Sequence, residues 1–140
     1  MILNMSGGGN PLNFKESTEY PGCYYSTVDG STEWLNPPMV LGTEYRTVER
    51  FKNKVVYAKA INFGKIESKS VSVNIAGTNV VSLHGYGVDS TGTVEFFPML
   101  NTETGEAVAV SWYESKKINV ASFHSGLSGY TATFVIKYTK

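Results

Sequence analysis

Residues 44–64 read EYRTVERFKNKVVYAKAINFG, and most residues of this segment favour β-strands over helices. From Val55 to Phe63 the side chains alternate between two faces, as they do along any strand. The first face carries Val55, Tyr57, Lys59, Ile61 and Phe63, and the second carries Val56, Ala58, Ala60 and Asn62. Because apolar residues dominate both faces, the pattern predicts a central strand that is covered on both sides.

Six further segments have the composition or the alternation of strands, and the 3.6-residue period of an amphipathic helix is missing from all of them. They are residues 70–75, 80–88, 93–97, 107–113, 118–123 and 131–138. The polar residues 114–117 predict a hairpin with a four-residue loop. In the last segment Ala132, Phe134, Ile136 and Tyr138 share one face. Together the segments predict an all-β fold, an antiparallel β-sandwich with jelly-roll-like wiring.

The chain has 140 residues, which is enough for one domain with its own core. Twelve basic and twelve acidic residues cancel, so charge gives no reason to expect nucleic acid or an anionic membrane as a partner. We expect no membrane insertion and no secretion signal, because the apolar runs are too short for either. Cys23 is the only cysteine, which excludes an intrachain disulfide and is typical of a protein made in a reducing cytoplasm.

The sequence divides at about residue 44 into a connecting and packing segment, 1–44, and a sandwich head domain, 45–140. Turn-forming pairs recur in the first part, at Pro21-Gly22, Asp29-Gly30 and Pro37-Pro38. The aromatic residues between them are scattered, so we expect an irregular segment whose short strands lie against a neighbouring domain or subunit. Residues 7–9, GGG, could equally form a flexible linker.

Residues 44–64 also resemble the start of the C-terminal head domain of tailed-phage and prophage tail fibres, which are receptor-binding proteins. The residues that carry this resemblance are Tyr45, Arg46, Thr47, Glu49, Arg50, Phe51, Lys54, Val56, Tyr57, Lys59, Ile61, Phe63 and Gly64. Residues 131–140, TATFVIKYTK, are similar to the closing strand of such domains. One departure is Asn53, where the family usually has Gly; because Asn tolerates positive φ, we expect the turn to be kept.

The resemblance implies a virion protein that attaches a phage to a glycan or protein on the host surface, without a cofactor. It also implies a homotrimer joined to upstream fibre or baseplate components. A strand that is apolar on both faces, such as residues 55–63, suits a trimer if a neighbouring subunit covers one face. In a monomer, another element of the same chain would have to cover it.

Catalytic patterns are weak in this sequence, and we predict that the chain is not an enzyme. His84 and His124 lie forty residues apart, outside any metal-ligand spacing, and residues 125–129, SGLSG, have the wrong register for a nucleophile elbow. The main alternative is a tail-associated glycan hydrolase that uses two carboxylates. Its candidates are Asp89, Glu95, Glu103 and Glu106. A purely structural virion domain is a third interpretation.

Binding of a sugar requires aromatic faces together with polar side chains, and residues of both kinds lie near the predicted loops. The candidate ligand-binding residues are Tyr113, Trp112, Glu114, Lys116, Tyr86, Asp89 and His124. Burial in the core is the competing interpretation for each aromatic residue. It is the stronger one for Trp112, which shares a face with Val108 and Val110, whereas we expect Tyr113 to be exposed. Gly85 and Gly87 predict a bend in their strand or the close approach of another chain.

Overall fold

The computed structural model describes residues 13–140 apart from residues 78, 124 and 128. Twelve strands and one 3₁₀ turn, Ser125–Leu127, occupy this part of the chain. The strands are β1 Lys15–Glu16, β2 Tyr24–Val28, β3 Ser31–Trp34, β4 Glu44–Phe51, β5 Lys54–Lys65, β6 Lys69–Ser72, β7 Asn79–Val88, β8 Val94–Phe97, β9 Met99–Leu100, β10 Ala107–Tyr113, β11 Lys117–Phe123 and β12 Thr131–Thr139.

Two sheets form the molecule. The large sheet has the order β1-β2-β3-β4-β5-β12-β7-β8, and the small sheet has the order β6-β11-β10-β9. Neighbouring strands are antiparallel except β3 and β4, which meet in parallel at Trp34 and Thr47. The prediction of an all-β, antiparallel sandwich is confirmed. The last strand, β12, pairs with β5, and β11 pairs with β6, so strands from the end of the chain lie beside strands from its middle. Jelly-roll wiring stays a prediction.

The core lies between the two sheets and is centred on β12. Ala132, Phe134, Ile136 and Tyr138 are all fully buried, as the alternation predicted. Val108 from β10 and Ile118 and Val120 from β11 are buried in the same apolar cluster, so the small sheet covers the inner face of the large one. The ring of Phe134 packs between those of Phe63 and Phe97, with centroid distances of 5.2 and 6.4 Å. Such aromatic contacts add to the free energy gained from burial itself.

Gly85 and Gly87 are required by the core of this chain. A Cβ atom at Gly85 would lie 2.7 Å from the ring of Phe134, and one at Gly87 would lie 2.8 Å from the ring of Phe97. Both distances are too short for carbon atoms that are not bonded. The close approach predicted at these glycines is therefore made by rings of the same chain, and no second chain is needed to explain it.

Two hairpin turns show how well local sequence predicts local structure. Lys52 and Asn53 connect β4 to β5 with φ values of 47° and 64°, so Asn53 does keep the expected turn. At the other hairpin Tyr113 pairs with Lys117, which leaves a loop of three residues, 114–116. The predicted four-residue loop is wrong by one residue because Lys117 already belongs to β11. Lys116 takes the positive φ, 59°, that a three-residue hairpin loop requires at its last position.

The described part of the segment before β4, residues 13–43, adds three short strands to the large sheet. It lies against β4: Glu33 is buried and its Oε1 accepts hydrogen bonds from Arg46 Nε at 3.0 Å and Arg50 Nη2 at 2.7 Å. The ring of Trp34 meets that of Tyr45 edge-on at 5.8 Å. The placement of a boundary at residue 44 stays a prediction.

The second apolar face of β5 is covered from within the chain. Val56, Ala58 and Ala60 are buried without any partner subunit. Leu35, Pro37 and Met39 line a groove whose floor includes Ala58, and the amide of Gly42 donates to the carbonyl of Ala60 at 2.8 Å. The two-sided apolar pattern of residues 55–63 therefore gives no support for a trimer.

Candidate functional site

The predicted ligand-binding residues that the structure describes lie towards two opposite ends of the sandwich. Trp112, Tyr113, Glu114 and Lys116 are at the end that carries the β10–β11 hairpin loop. This end also holds the start of β7, because Asn79 lines the same cleft as Trp112. Asp89 follows the other end of β7, ten residues farther along. At about 3.3 Å per residue, roughly 30 Å separates the two groups, so they cannot form one site for a small ligand.

At the hairpin end the four residues have different surroundings. Tyr113 is 46% exposed, as predicted, and Glu114 is exposed beside it. Trp112 points to the opposite face and is half-buried against the core. The ammonium group of Lys116 donates to the carbonyl oxygen of Ile75 at 2.8 Å, and the carbonyl of Lys116 accepts from Val73 N. Lys116 thus connects the loop to the segment after β6 by hydrogen bonds, and one of these bonds uses its ammonium group.

Asp89 organises its own loop. Its Oδ1 accepts hydrogen bonds from the amide of Thr91 at 2.9 Å, the hydroxyl of Thr91 at 2.7 Å and the amide of Thr93 at 2.9 Å. The hydroxyl of Thr91 lowers the pKa of Asp89 most; partial burial opposes this, and the backbone amides of Thr93, Thr91 and Gly92 lower the pKa further. The geometry accounts for Asp89 as a loop-stabilising residue.

Tyr86 lies near the C-terminal end of β7, on the outer face of the large sheet. It pairs across the strands with Phe96, and Val88 pairs with Val94. We name these four side chains the β7–β8 face: Tyr86, Val88, Val94 and Phe96. All four are exposed, and Phe96 reaches 71%. Contiguous apolar surface of this kind is typical of a protein contact, so Tyr86 belongs to a surface that differs from the hairpin end.

His84 is the one histidine that the described residues include, and it gives no support for a metal site. His84 is exposed and lines the groove beneath Leu35 and Met39, which has a volume of about 480 Å³. His124 lies outside the described residues, so its role in ligand binding stays a prediction. Among those residues, no group of three or more His, Cys, Asp or Glu side chains is placed to hold a metal ion.

The carboxylates proposed for glycan hydrolysis gather at the end opposite the hairpin. Tyr130 lies among them: burial raises its pKa most, and the charges of Asp89, Glu95 and Glu106 raise it further. Glu103 is exposed in a loop capped by Asn101, whose Oδ1 accepts from the amide of Glu103 at 3.0 Å. A glycosidase requires one carboxylic acid whose pKa is raised. The pKa of Asp89 moves in the opposite direction, and its oxygen is occupied by the loop.

A cleft at the hairpin end brings together residues that no sequence motif connects. We name it the Trp112 cleft; it has a volume of about 530 Å³ and is lined by Phe51, Lys52, Lys54, Asn79, Val80, Trp112 and Thr139. The β4–β5 turn places the two lysines, and the pairing of Asn79 with Thr139 brings β7 and β12 to the same point. Two aromatic rings, two cations and an amide therefore converge on one concave surface. Pockets of this volume are of the size that small ligands occupy.

Four residues of this cleft were not predicted from the sequence as site residues: Phe51, Lys52, Lys54 and Asn79. A turn rich in lysine could have suggested the two cations. No local sequence pattern relates Asn79 to Trp112. The two residues come together only because of the register of β7 on β12 and the packing of β10 against these strands.

Comparisons with protein-family models, with curated proteins and with solved structures returned no match. In the part of the chain that the structure describes, helices long and apolar enough to cross a membrane are absent.

Proposed function

We propose that this chain is the receptor-binding head of a phage or prophage tail fibre and attaches the virion to a glycan or protein on the host cell. The observation that carries the proposal is the resemblance of residues 44–64 and 131–140 to that family. In the fold these two segments are neighbours: β5 and β12 pair along most of their length at the centre of the large sheet. The two segments that carry the resemblance therefore lie in adjacent strands of one sheet.

The β7–β8 face supports the assembly of such a head into a trimer. Its occupant is a second copy of this chain, whose own apolar surface would cover Tyr86, Val88, Val94 and Phe96. The net charge of the chain is zero, so copies do not repel one another at long range. Three weak sites on one rigid head then give an avidity that one site lacks.

Attachment is better supported than hydrolysis. The carboxylates that would cleave a glycan lie at the far end from the Trp112 cleft, and Asp89 is held in its loop as a charged acceptor. Replacing Glu95 or Glu106 with Gln is therefore expected to leave binding to cells unchanged.

Binding of the fluorescently labelled protein to a panel of bacterial strains, measured by flow cytometry, tests the proposal. We expect saturable binding to a subset of strains, displaced by an excess of unlabelled protein. Treatment of the cells with periodate, which oxidises glycans, and with protease identifies the class of receptor. Signals that are equal on every strain and are not displaced would contradict the proposal.

A further inference from the structure

The Trp112 cleft is positively charged, although the whole chain is neutral. Lys52 and Lys54 are both exposed at its rim, and acidic residues are absent from its described lining. Lys69, Lys137 and Lys140 each form an ion pair with a glutamate. Among the described residues, neither Lys52 nor Lys54 has a carboxylate within ion-pair distance. Two uncompensated cations at one concave surface favour an anion of matching size.

The non-charged part of the lining is suited to a sugar ring. The half-buried indole of Trp112 forms part of the wall, and an aromatic face of this kind packs against the C–H surface of a pyranose. The exposed amide of Asn79 can donate to and accept from ring hydroxyls. The Nζ of Lys52 lies 5.5 Å from the centre of the Phe51 ring, which keeps this cation beside the aromatic surface.

We propose that the Trp112 cleft binds a sugar residue that carries a carboxylate, such as a uronic acid within a cell-surface polysaccharide. Trp112 stacks on the ring, Asn79 hydrogen-bonds its hydroxyls, and Lys52 and Lys54 bind the carboxylate. This inference rests on the proposed function and specifies the chemistry of the receptor. Lysine ammonium groups bind carboxylates and phosphates alike, so inorganic phosphate is included as a competitor in the experiment that follows.

Titration with trigalacturonate tests the cleft directly, and the methyl ester of the same trisaccharide is a neutral control of the same shape. Trp34 and Trp112 are the two tryptophans of the chain, so in a Trp34→Phe background the emission reports Trp112 alone. Calorimetry on the wild-type chain measures the affinity. We expect the acid to bind at least tenfold more tightly than the ester, to change the emission of Trp112, and to bind more weakly as salt rises.

Two lysine variants distinguish specific binding in the cleft from non-specific attraction of anions to any surface lysine. The double variant Lys52→Gln and Lys54→Gln is expected to lose at least tenfold in affinity for trigalacturonate. Lys65→Gln is the matched control, because Lys65 is an exposed lysine at the opposite end of β5, and it should retain wild-type affinity. Both variants replace exposed side chains, so we expect them to fold. A Trp112→Ala variant, if it folds, measures the contribution of the indole ring to the affinity for trigalacturonate.

Three results would overturn the inference: equal affinity for acid and ester, equal losses in the cleft and control variants, or complete competition by inorganic phosphate at matched ionic strength. The experiments distinguish a wrong assignment of the ligand to the Trp112 cleft from a wrong proposal of attachment to cells. If cells still bind the labelled protein and the double lysine variant binds them equally well, attachment stands and uses another surface. If trigalacturonate binds in the cleft and no strain binds the protein, the attachment proposal fails alone.

Discussion

Glu33 illustrates at the residue scale how a charge is stabilised inside this fold. Its side chain is 6% exposed and its carboxylate accepts from two arginines that are themselves partly exposed. Because hydrogen bonds to a charged group are worth more than neutral ones, we predict that Glu33→Gln lowers the free energy of unfolding by about 2 kcal/mol. Urea denaturation measures the change. Glu67→Gln is the control, since Glu67 is 61% exposed in its pair with Lys69 and should cost less than about 1 kcal/mol.

The ionisation of Glu44 makes the stability of the fold depend on pH. Burial by itself raises the pKa of Glu44, but hydrogen bonds from Lys140 and from the hydroxyl of Tyr138 outweigh it, so the pKa falls below its usual value of 4.5. A carboxyl group whose pKa is lowered on folding stabilises the fold above its unfolded pKa and loses that contribution as pH falls through its folded pKa. We predict that acid denaturation below about pH 4.5 is shallower for Glu44→Gln than for wild type. An identical pH dependence of the unfolding midpoint in both proteins would contradict this assignment.

At the scale of elements, the packing of β7 on β12 depends on a missing side chain. A methyl group at Gly85 would meet the ring of Phe134 and the carbonyl oxygen of Thr133 at less than 3 Å. We predict that Gly85→Ala destabilises the protein by about 1–3 kcal/mol, because the core must shift to admit it. Thermal unfolding followed by circular dichroism detects the loss. Gly129→Ala, where a Cβ has no neighbour within 4 Å, should leave the midpoint unchanged, and equal effects at both positions would refute the packing argument.

Elements also show what the sequence could and could not predict. The alternation of Ala132, Phe134, Ile136 and Tyr138 predicted their burial, because a strand with one apolar face has only one way to bury it. The same reasoning predicted that β5 is covered on both faces. It did not predict which element covers the second face, because the alternation of apolar residues indicates burial and does not identify the neighbouring element. The role of Asp89 was missed because its partners depend on loop geometry. The Trp112 cleft was missed because it requires the register of distant strands.

At the scale of the whole molecule, Phe96 is the residue on which the proposed trimer depends. It is 71% exposed in the single chain, so Phe96→Glu should leave the fold intact while placing a charge in the subunit contact. We predict that light scattering gives about three times 15.3 kDa for the wild type and 15.3 kDa for this variant. Phe123→Glu is the control, because Phe123 is also exposed but lies on the small sheet. A wild-type monomer that persists at high concentration would exclude the β7–β8 face as an interface.

Attachment through several weak sites is the central claim, and the saturation isotherm on a responsive strain tests it most directly. Labelled wild type and the Phe96→Glu variant are measured side by side at equal concentrations of chain. We predict that both bind the strain and that the wild type binds with an apparent affinity roughly a hundredfold higher, because only the trimer engages several receptors at once. Equal isotherms for the two proteins, or no saturable binding by the wild type to any strain, would contradict the claim.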